Sequence, residues 1–154
     1  VKTGILPGLP DAGQQPVTLT NNDSGKFECR WIYLKVEPDN PCVFTRGIDR
    51  MYIPVNHGEG KLVAPPEILP KLNVVVRYTD ENGNTGAGYP HNPNGSLEDI
   101  AGICDATGRV FALMPHPERF IRWTQHPRWT REPARPAGDG LQIFTNAVDW
   151  AKGI

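Results

Sequence analysis

The sequence has no CxxC pair, no apolar run approaching the roughly 18 residues that cross a membrane, and almost no net charge. Each absence excludes something. Cys29, Cys42 and Cys104 form an odd set without metal-ligand spacing, so neither a disulfide scaffold nor a metal site is expected, and a reducing, cytoplasmic setting is. No segment is expected to span a bilayer. Sixteen basic residues against 17 acidic ones leave a net charge of −1. That speaks against a nucleic-acid surface, because phosphate binding needs a basic excess on one face. No stretch is low-complexity and no internal repeat occurs. The opening "VKTGILPGLP" has neither an initiator methionine nor a signal-peptide pattern; it reads as a helix tail running into a loop.

Glycine and proline are plentiful, 16 of each in 154 residues, so one domain rich in turns is expected. Residues 1–6 read as the end of a helix stopped by "GILPGLPDAG". From Phe27 to Val36 apolar residues recur with period two (Phe27, Cys29, Trp31, Tyr33) and β-branched and aromatic types dominate, which predicts a strand. A short strand or turn at Cys42–Phe44 and a second short strand, "MYIPV", follow, with a break at Asn56-His57-Gly58. "EILPKL" predicts a helical turn or two. "NVVVRYTDENGNTGAGYP" reads as a buried strand, a turn and a return. "IAGICDATGRVFALM" reads as a hairpin about an Asp105–Gly108 turn. "DGLQIFTNAVDWAKGI" repeats apolar residues at Leu141, Ile143, Phe144, Val148 and Trp150, the spacing of an amphipathic closing helix. "QHPRWTREPARPAGDG" fits no regular element.

"GICDATG" spells most of a nucleophile elbow, which needs a strand, a strained turn at the nucleophile and then a helix. A turn and another strand follow Cys104 instead, so it reads as a small buried cysteine on a hairpin. Cys29 lies within an alternating strand and Cys42 follows a proline in a loop; neither has elbow chemistry. "ALMPHPERF" reads differently. Pro115 and Pro117 stiffen the backbone on both sides of His116 at the end of a strand. In an extended segment His116 and Glu118 project to one side, so the carboxylate can hold one ring nitrogen and leave the other for acid–base work. The alternative is a structural His-Pro turn with a surface glutamate. In "VNHGEGKL", glycines beside His57 either turn backbone N–H groups toward a bound anion or simply form a flexible turn. His91 and His126 read as surface or structural. "ENGNTG" has the composition of a turn and lacks phosphate-loop spacing.

Taken together, "GRVFALMPHPERF", "NNDSGKFECRWIYLKV", "PVNHGEGKL", "YPHNPNGSLEDIAGI" and "GDGLQIFTNAV" resemble the glutamine amidotransferase part of the phosphoribosylformylglycinamidine synthase family, along the whole chain and in order. More broadly the chain is similar to class I glutamine amidotransferases. The resemblance implies an α/β, flavodoxin-like fold with a Cys-His-Glu triad. By position, His116 matches the triad histidine and Glu118 the triad glutamate. Asn56, His57, Gly58 and Glu59 match a loop whose backbone lies along bound glutamine in related enzymes, and "NPNGS" matches a nearby loop of unassigned role. In the family the nucleophile sits in a "GxCNGFQ"-type elbow, which residues 1–154 do not contain. They resemble the C-terminal portion of the domain, an incomplete, strand-rich fold with a C-terminal helix.

The resemblance also implies a chemistry. A thiolate attacks the glutamine side-chain amide, backbone N–H groups stabilise the oxyanion, and the histidine protonates departing ammonia. Ammonia then passes to an ATP- and magnesium-dependent synthetase partner in purine biosynthesis, so no cofactor is expected in this chain itself. The contrasting reading is a catalytically dead module that docks to a synthetase subunit or self-associates. Loss of a triad nucleophile costs on the order of 10⁶ in rate, so residues 1–154 alone should show no glutaminase activity. Thioester formation at Cys29, Cys42 or Cys104 with a glutamine-analogue electrophile would contradict this.

Overall fold

The computed structural model describes residues 1, 3–9 and 15–153. Among the described residues seven strands and one α-helix follow one another: β1 Thr18–Thr20, β2 Glu28–Val36, β3 Arg50–His57, β4 Lys61–Val63, β5 Asn73–Thr79, β6 Ile100–Cys104, β7 Phe111–Leu113 and α1 Leu141–Lys152. Five strands form one sheet in the order β3-β2-β5-β6-β7, and β1 pairs with β4 in a small second sheet. All these pairings are antiparallel. The chain is thus sheet-dominated with one C-terminal helix, as the sequence leads one to expect.

Several expectations need correction. Among the described residues the expected helix tail over 1–6 is replaced by turns over residues 3–7, with the Gly4 N–H on the Val1 carbonyl at 2.9 Å; Lys2 lies outside the described residues, as do residues 10–14. No return strand follows the turn after β5. There Asp80 gathers the Asn82 and Asn84 N–H groups onto one carboxylate oxygen, and the chain runs on irregularly to β6. Cys42–Phe44 leads into a 3-10 turn at Val43–Thr45. The strands β1 and β4 carried no periodic signal at three residues each.

The expected strand is present as β2, and its buried face is the one that alternates with Trp31 and Tyr33. Ile32, Leu34 and Val36 are buried, opposite Ile53 and Met51 of β3 and Tyr78 and Val76 of β5. Phe27 and Cys29 are exposed. Trp31 and Tyr33 form the other face, half-buried under a second aromatic layer. Trp31 meets Phe120 edge-on at 5.1 Å and His126 at 5.4 Å, and Tyr33 lies 4.4 Å from Tyr52. The predicted loop at 125–140 therefore covers the sheet: His126 is buried and stacks on Trp123 at 4.8 Å. A second apolar cluster, including Leu62, Ile68, Leu72, Ile100 and Ile103, lies around β4 and β6.

The sheet is curled. The Met114 N–H bonds to the Ala101 carbonyl of β6 at 3.0 Å, and two residues later the His116 N–H bonds to the Pro54 carbonyl of β3 at 2.8 Å. Two residues reach at most ~7 Å, about 13 Å with the two hydrogen bonds added, whereas β6 and β3, three positions apart in a flat sheet, would be separated by about 14 Å before their outward carbonyls are counted. Only curvature brings the two ends together, at His116.

The helix α1 ends at Gly153, whose φ of 74° gives a left-handed cap. The expected amphipathic helix is present; of its apolar residues only Ile143 is buried, while Leu141, Phe144, Val148 and Trp150 remain exposed. The segment before it grips the turn that follows His116. Gly140 donates to the Phe120 carbonyl at 2.9 Å and Gly138 to Ile121 at 3.2 Å. A Cβ at Gly140 would fall 2.0 Å from the Pro117 carbonyl oxygen, so only glycine allows this approach. Gly140→Ala should therefore cost roughly 3 kcal/mol, read as a lowered urea midpoint. An unchanged midpoint would show that the approach is not required.

Candidate functional site

The strand β7 leads through buried Pro115 to His116, which opens a 3-10 turn over Pro117–Phe120. The predicted extended geometry is thus replaced by a turn. Pro117 fixes φ near the value that the first residue of such a turn needs, so proline serves a turn here as well as it serves a strand. The pairing itself is present: His116 Nδ1 lies 2.7 Å from Glu118 Oε1. Both side chains are partly open to solvent, 35% and 55%. With Nδ1 donating to the carboxylate, Nε2 is the ring atom left for proton transfer.

The turn is clamped on two sides. His116 holds β3 through Pro54, and Phe120, 1% exposed, plugs the aromatic layer behind it. Asp139 accepts the Tyr52 N–H at 2.8 Å and pairs with Arg135, tying the 138–140 segment to β3 as well. A cleft of about 340 Å³ opens beside the pair, walled by Phe44, Phe111, Leu113 and Phe144. A larger groove of about 570 Å³ along residues 35–50 contains none of the predicted site residues.

Asn56 and His57 end β3, two and three residues beyond the carbonyl that holds His116, and Gly58-Glu59-Gly60 turn the chain into β4. Asn56 and Gly58 are half-buried and Glu59 is exposed, but His57 is 7% exposed and faces inward. Its Nδ1 lies 3.1 Å from Asn22 Oδ1 and its Nε2 3.4 Å from Asn94 Nδ2. Burial, above all, pushes its pKa below the ordinary 6.5; its backbone and Glu28 oppose this, and a charge on nearby His116 adds to it. His57 is therefore part of the structure beneath the loop, and Asn56, Gly58 and Glu59 are the members that reach the surface.

The role of "NPNGS" was not legible in the sequence. Asn94 is fully buried and donates to Tyr78 Oη at 3.0 Å, while Ser96 Oγ accepts the Leu62 N–H of β4 at 3.0 Å. The residues brace the 56–60 loop from below. Asn22, in "NNDSG", does the same from the side and was also missed. Asparagines amid Gly, Pro and Ser read by default as turn formers, and only their burial distinguishes them.

The three cysteines are elsewhere. Cys104 is fully buried at the end of β6, beside Cys42, and desolvation, first, together with that neighbour and Asp105, pushes its pKa up to about 12. The turn after it is closed by Asp105, whose Oδ1 accepts the Arg109 and Val110 N–H groups at 3.0 and 2.9 Å. A strand follows, so "GICDATG" is a hairpin. Cys29 is exposed on β2, opposite Asn56.

The His116–Glu118 pair thus stands where the segment leaving β7 meets β3, beside the glycine turn that follows His57. The chain belongs to the family of CobB/CobQ-like glutamine amidotransferase domains, whose profile matches residues 1–151. It is 62% identical over 154 residues to the phosphoribosylformylglycinamidine synthase subunit PurQ of Dehalococcoides mccartyi, covering 100% of this chain and 60% of that protein. It is 45% identical over 168 residues to the subunit of the same name from Archaeoglobus fulgidus, again 100% of this chain and 59% of the relative. A chain in the structure of PurLQS from Thermotoga maritima superposes with a TM-score of 0.63 at 32% identity, covering 90% of this chain and 55% of that one. The chain thus spans about 60% of the length of these curated relatives. Among the described residues no helix is long and apolar enough to cross a membrane.

The inward-facing His57 has a consequence for stability. In the unfolded chain its imidazole takes a proton near pH 6.5, and in the folded chain only at lower pH. The unfolded state binds more protons in that window, so folded stability falls as pH drops below about 6.5 toward the depressed pKa, and is level above it. Urea midpoints from pH 8 to 5.5 should decline for the wild type and less steeply for His57→Gln. Identical slopes would contradict the assignment.

Proposed function

We propose that this chain supplies the acid–base half and part of the glutamine-binding wall of a glutaminase, the amidotransferase component of a phosphoribosylformylglycinamidine synthase. The observation that carries this is the 2.7 Å His116–Glu118 pair standing beside the 56–60 loop. The 62% identity to a subunit of that synthase gives the reaction its setting. Glu118 holds Nδ1–H and keeps Nε2 free to take the proton of the attacking thiol; Nε2 gives that proton to the amide nitrogen, which leaves as ammonia, then takes one from the water that opens the thioester and returns it to the departing thiolate. Asn56, Gly58 and Glu59 line the substrate, the loop contributing chiefly through its backbone.

None of Cys29, Cys42 and Cys104 suits the nucleophile. Two are buried with their thiols held protonated, and Cys29 lies on an exposed strand without an elbow. The thiolate is contributed by another segment of the complete protein. Released ammonia is used by a synthetase partner that binds ATP and magnesium; this chain needs no cofactor for its part. Three free thiols suit a cytoplasmic setting. The exposed α1 residues Phe144, Val148 and Trp150 offer a surface for the partner or for a second copy. An ordered His–Glu pair favours the catalytic reading over a binding-only module, which has no need of one.

In the complete protein assembled with its synthetase, His116→Ala should lower glutamine-dependent turnover by about 10³-fold or more, and Glu118→Gln by roughly 10²-fold. Synthesis supplied with ammonia directly should be unchanged in both. Wild-type glutamine turnover in the His116 variant would overturn the reading.

A further inference from the structure

The 56–60 loop contains two glycines and no regular structure between β3 and β4, yet it is pinned at four points by one side chain and its backbone. The Asn22 N–H donates to the Gly58 carbonyl at 3.0 Å and Asn22 Nδ2 to the His57 carbonyl at 2.8 Å. Asn22 Oδ1 accepts the Gly60 N–H at 3.1 Å and faces His57 Nδ1 at the same distance. Asn22 Nδ2 also donates to the Lys26 carbonyl at 2.8 Å, which fixes the amide with its oxygen toward His57. His57 Nδ1 must then carry the proton, and Nε2 is the acceptor.

The other side of the ring agrees. Ser96 N–H donates to Asn94 Oδ1 at 3.0 Å, so Asn94 presents its Nδ2 donors to Tyr78 Oη and His57 Nε2. Every polar atom in the chain Asn22–His57–Asn94–Tyr78 thus has one consistent role. Gly60 closes over the assembly: a Cβ there would lie 2.6 Å from His57 Nδ1 and 2.8 Å from Asn94 Nδ2. With its inward groups satisfied, the loop leaves the Gly58 and Glu59 N–H groups without a protein partner among the described residues.

We infer that Asn22 and Asn94 are positioning residues for the glutamine site: through His57, held as the neutral Nδ1–H tautomer, they fix the backbone of residues 57–60 so that its free N–H groups face the substrate. This rests on the glutaminase reading above. Neither asparagine hydrogen-bonds to His116 among the described residues. Loosening the brace therefore costs substrate affinity and spares the chemical step.

The test uses the complete protein with its synthetase. Asn94→Ala should raise KM for glutamine roughly 10- to 100-fold with kcat held within about threefold. Tyr78→Phe, which keeps the ring and removes only the acceptor of Asn94, should shift KM in the same direction by less. An unchanged KM in folded Asn94→Ala, or a fall in kcat matching the rise in KM, would overturn the inference. Nitrogen NMR of the imidazole gives a second readout that needs no turnover: wild-type His57 should be protonated at Nδ1 and bare at Nε2, and Asn94→Ala should populate the Nε2–H form. A wild-type Nε2–H signal would overturn the brace. Absence of glutamine turnover in the wild type would instead overturn the function, with the tautomer result still deciding the brace.

Discussion

The hydrogen bond from the His116 N–H to the Pro54 carbonyl is the contact on which the site depends. It joins the segment leaving β7 to the opposite edge of the sheet, and so requires the sheet to curl. Pro54 lies on β3, an edge strand and so one of the few places where a sheet tolerates a residue with no N–H to donate. Its carbonyl is free to take the incoming histidine. The same bond places His116 two residues from Asn56, which is why an acid–base pair and a substrate loop, some 60 residues apart in the chain, share one surface.

Two kinds of packing support that junction. Behind it, Phe120, Trp123 and His126 cover the aromatic face of β2, so the turn bearing His116 and Glu118 is anchored by apolar burial. Beneath the loop the interior is polar: Asn22, His57, Asn94 and Ser96 are all buried. A buried polar group left unpaired costs about 1–3 kcal/mol, so such a network is tolerable only when each donor finds its acceptor. The requirement that makes it costly also makes it specific, because few loop conformations satisfy all the partners at once.

Much of this was legible in the residues, and the failures have physical causes. The Asp105–Gly108 hairpin was readable because one aspartate and one glycine dictate the turn. The His116–Glu118 pair was readable because prolines on either side leave the backbone few choices, although the same prolines suit a 3-10 turn as well as a strand. The strand β2 was readable as a strand, but its periodicity did not tell which face is buried, since Trp31 and Tyr33 alternate with Ile32 and Leu34 and both sets are apolar. Period-two reasoning assumes one apolar and one wet face, and here the second face is half-buried at Trp31 and Tyr33 and exposed only at Cys29 and Lys35. The closing helix was placed correctly, but Phe144 and Val148 are exposed, because periodicity reports which side is apolar and not whether anything covers it. The brace was invisible, since an asparagine in a Gly/Pro loop has the same local signature whether it faces solvent or the interior.

The account is tested most directly by a crystal structure of the complete protein trapped with a glutamine-analogue electrophile. The covalent adduct should lie within hydrogen-bond distance of His116 Nε2, with its α-carboxylate or amide side against the backbone of residues 56–59. An adduct on Cys29, Cys42 or Cys104, or one remote from both His116 and this loop, would contradict it.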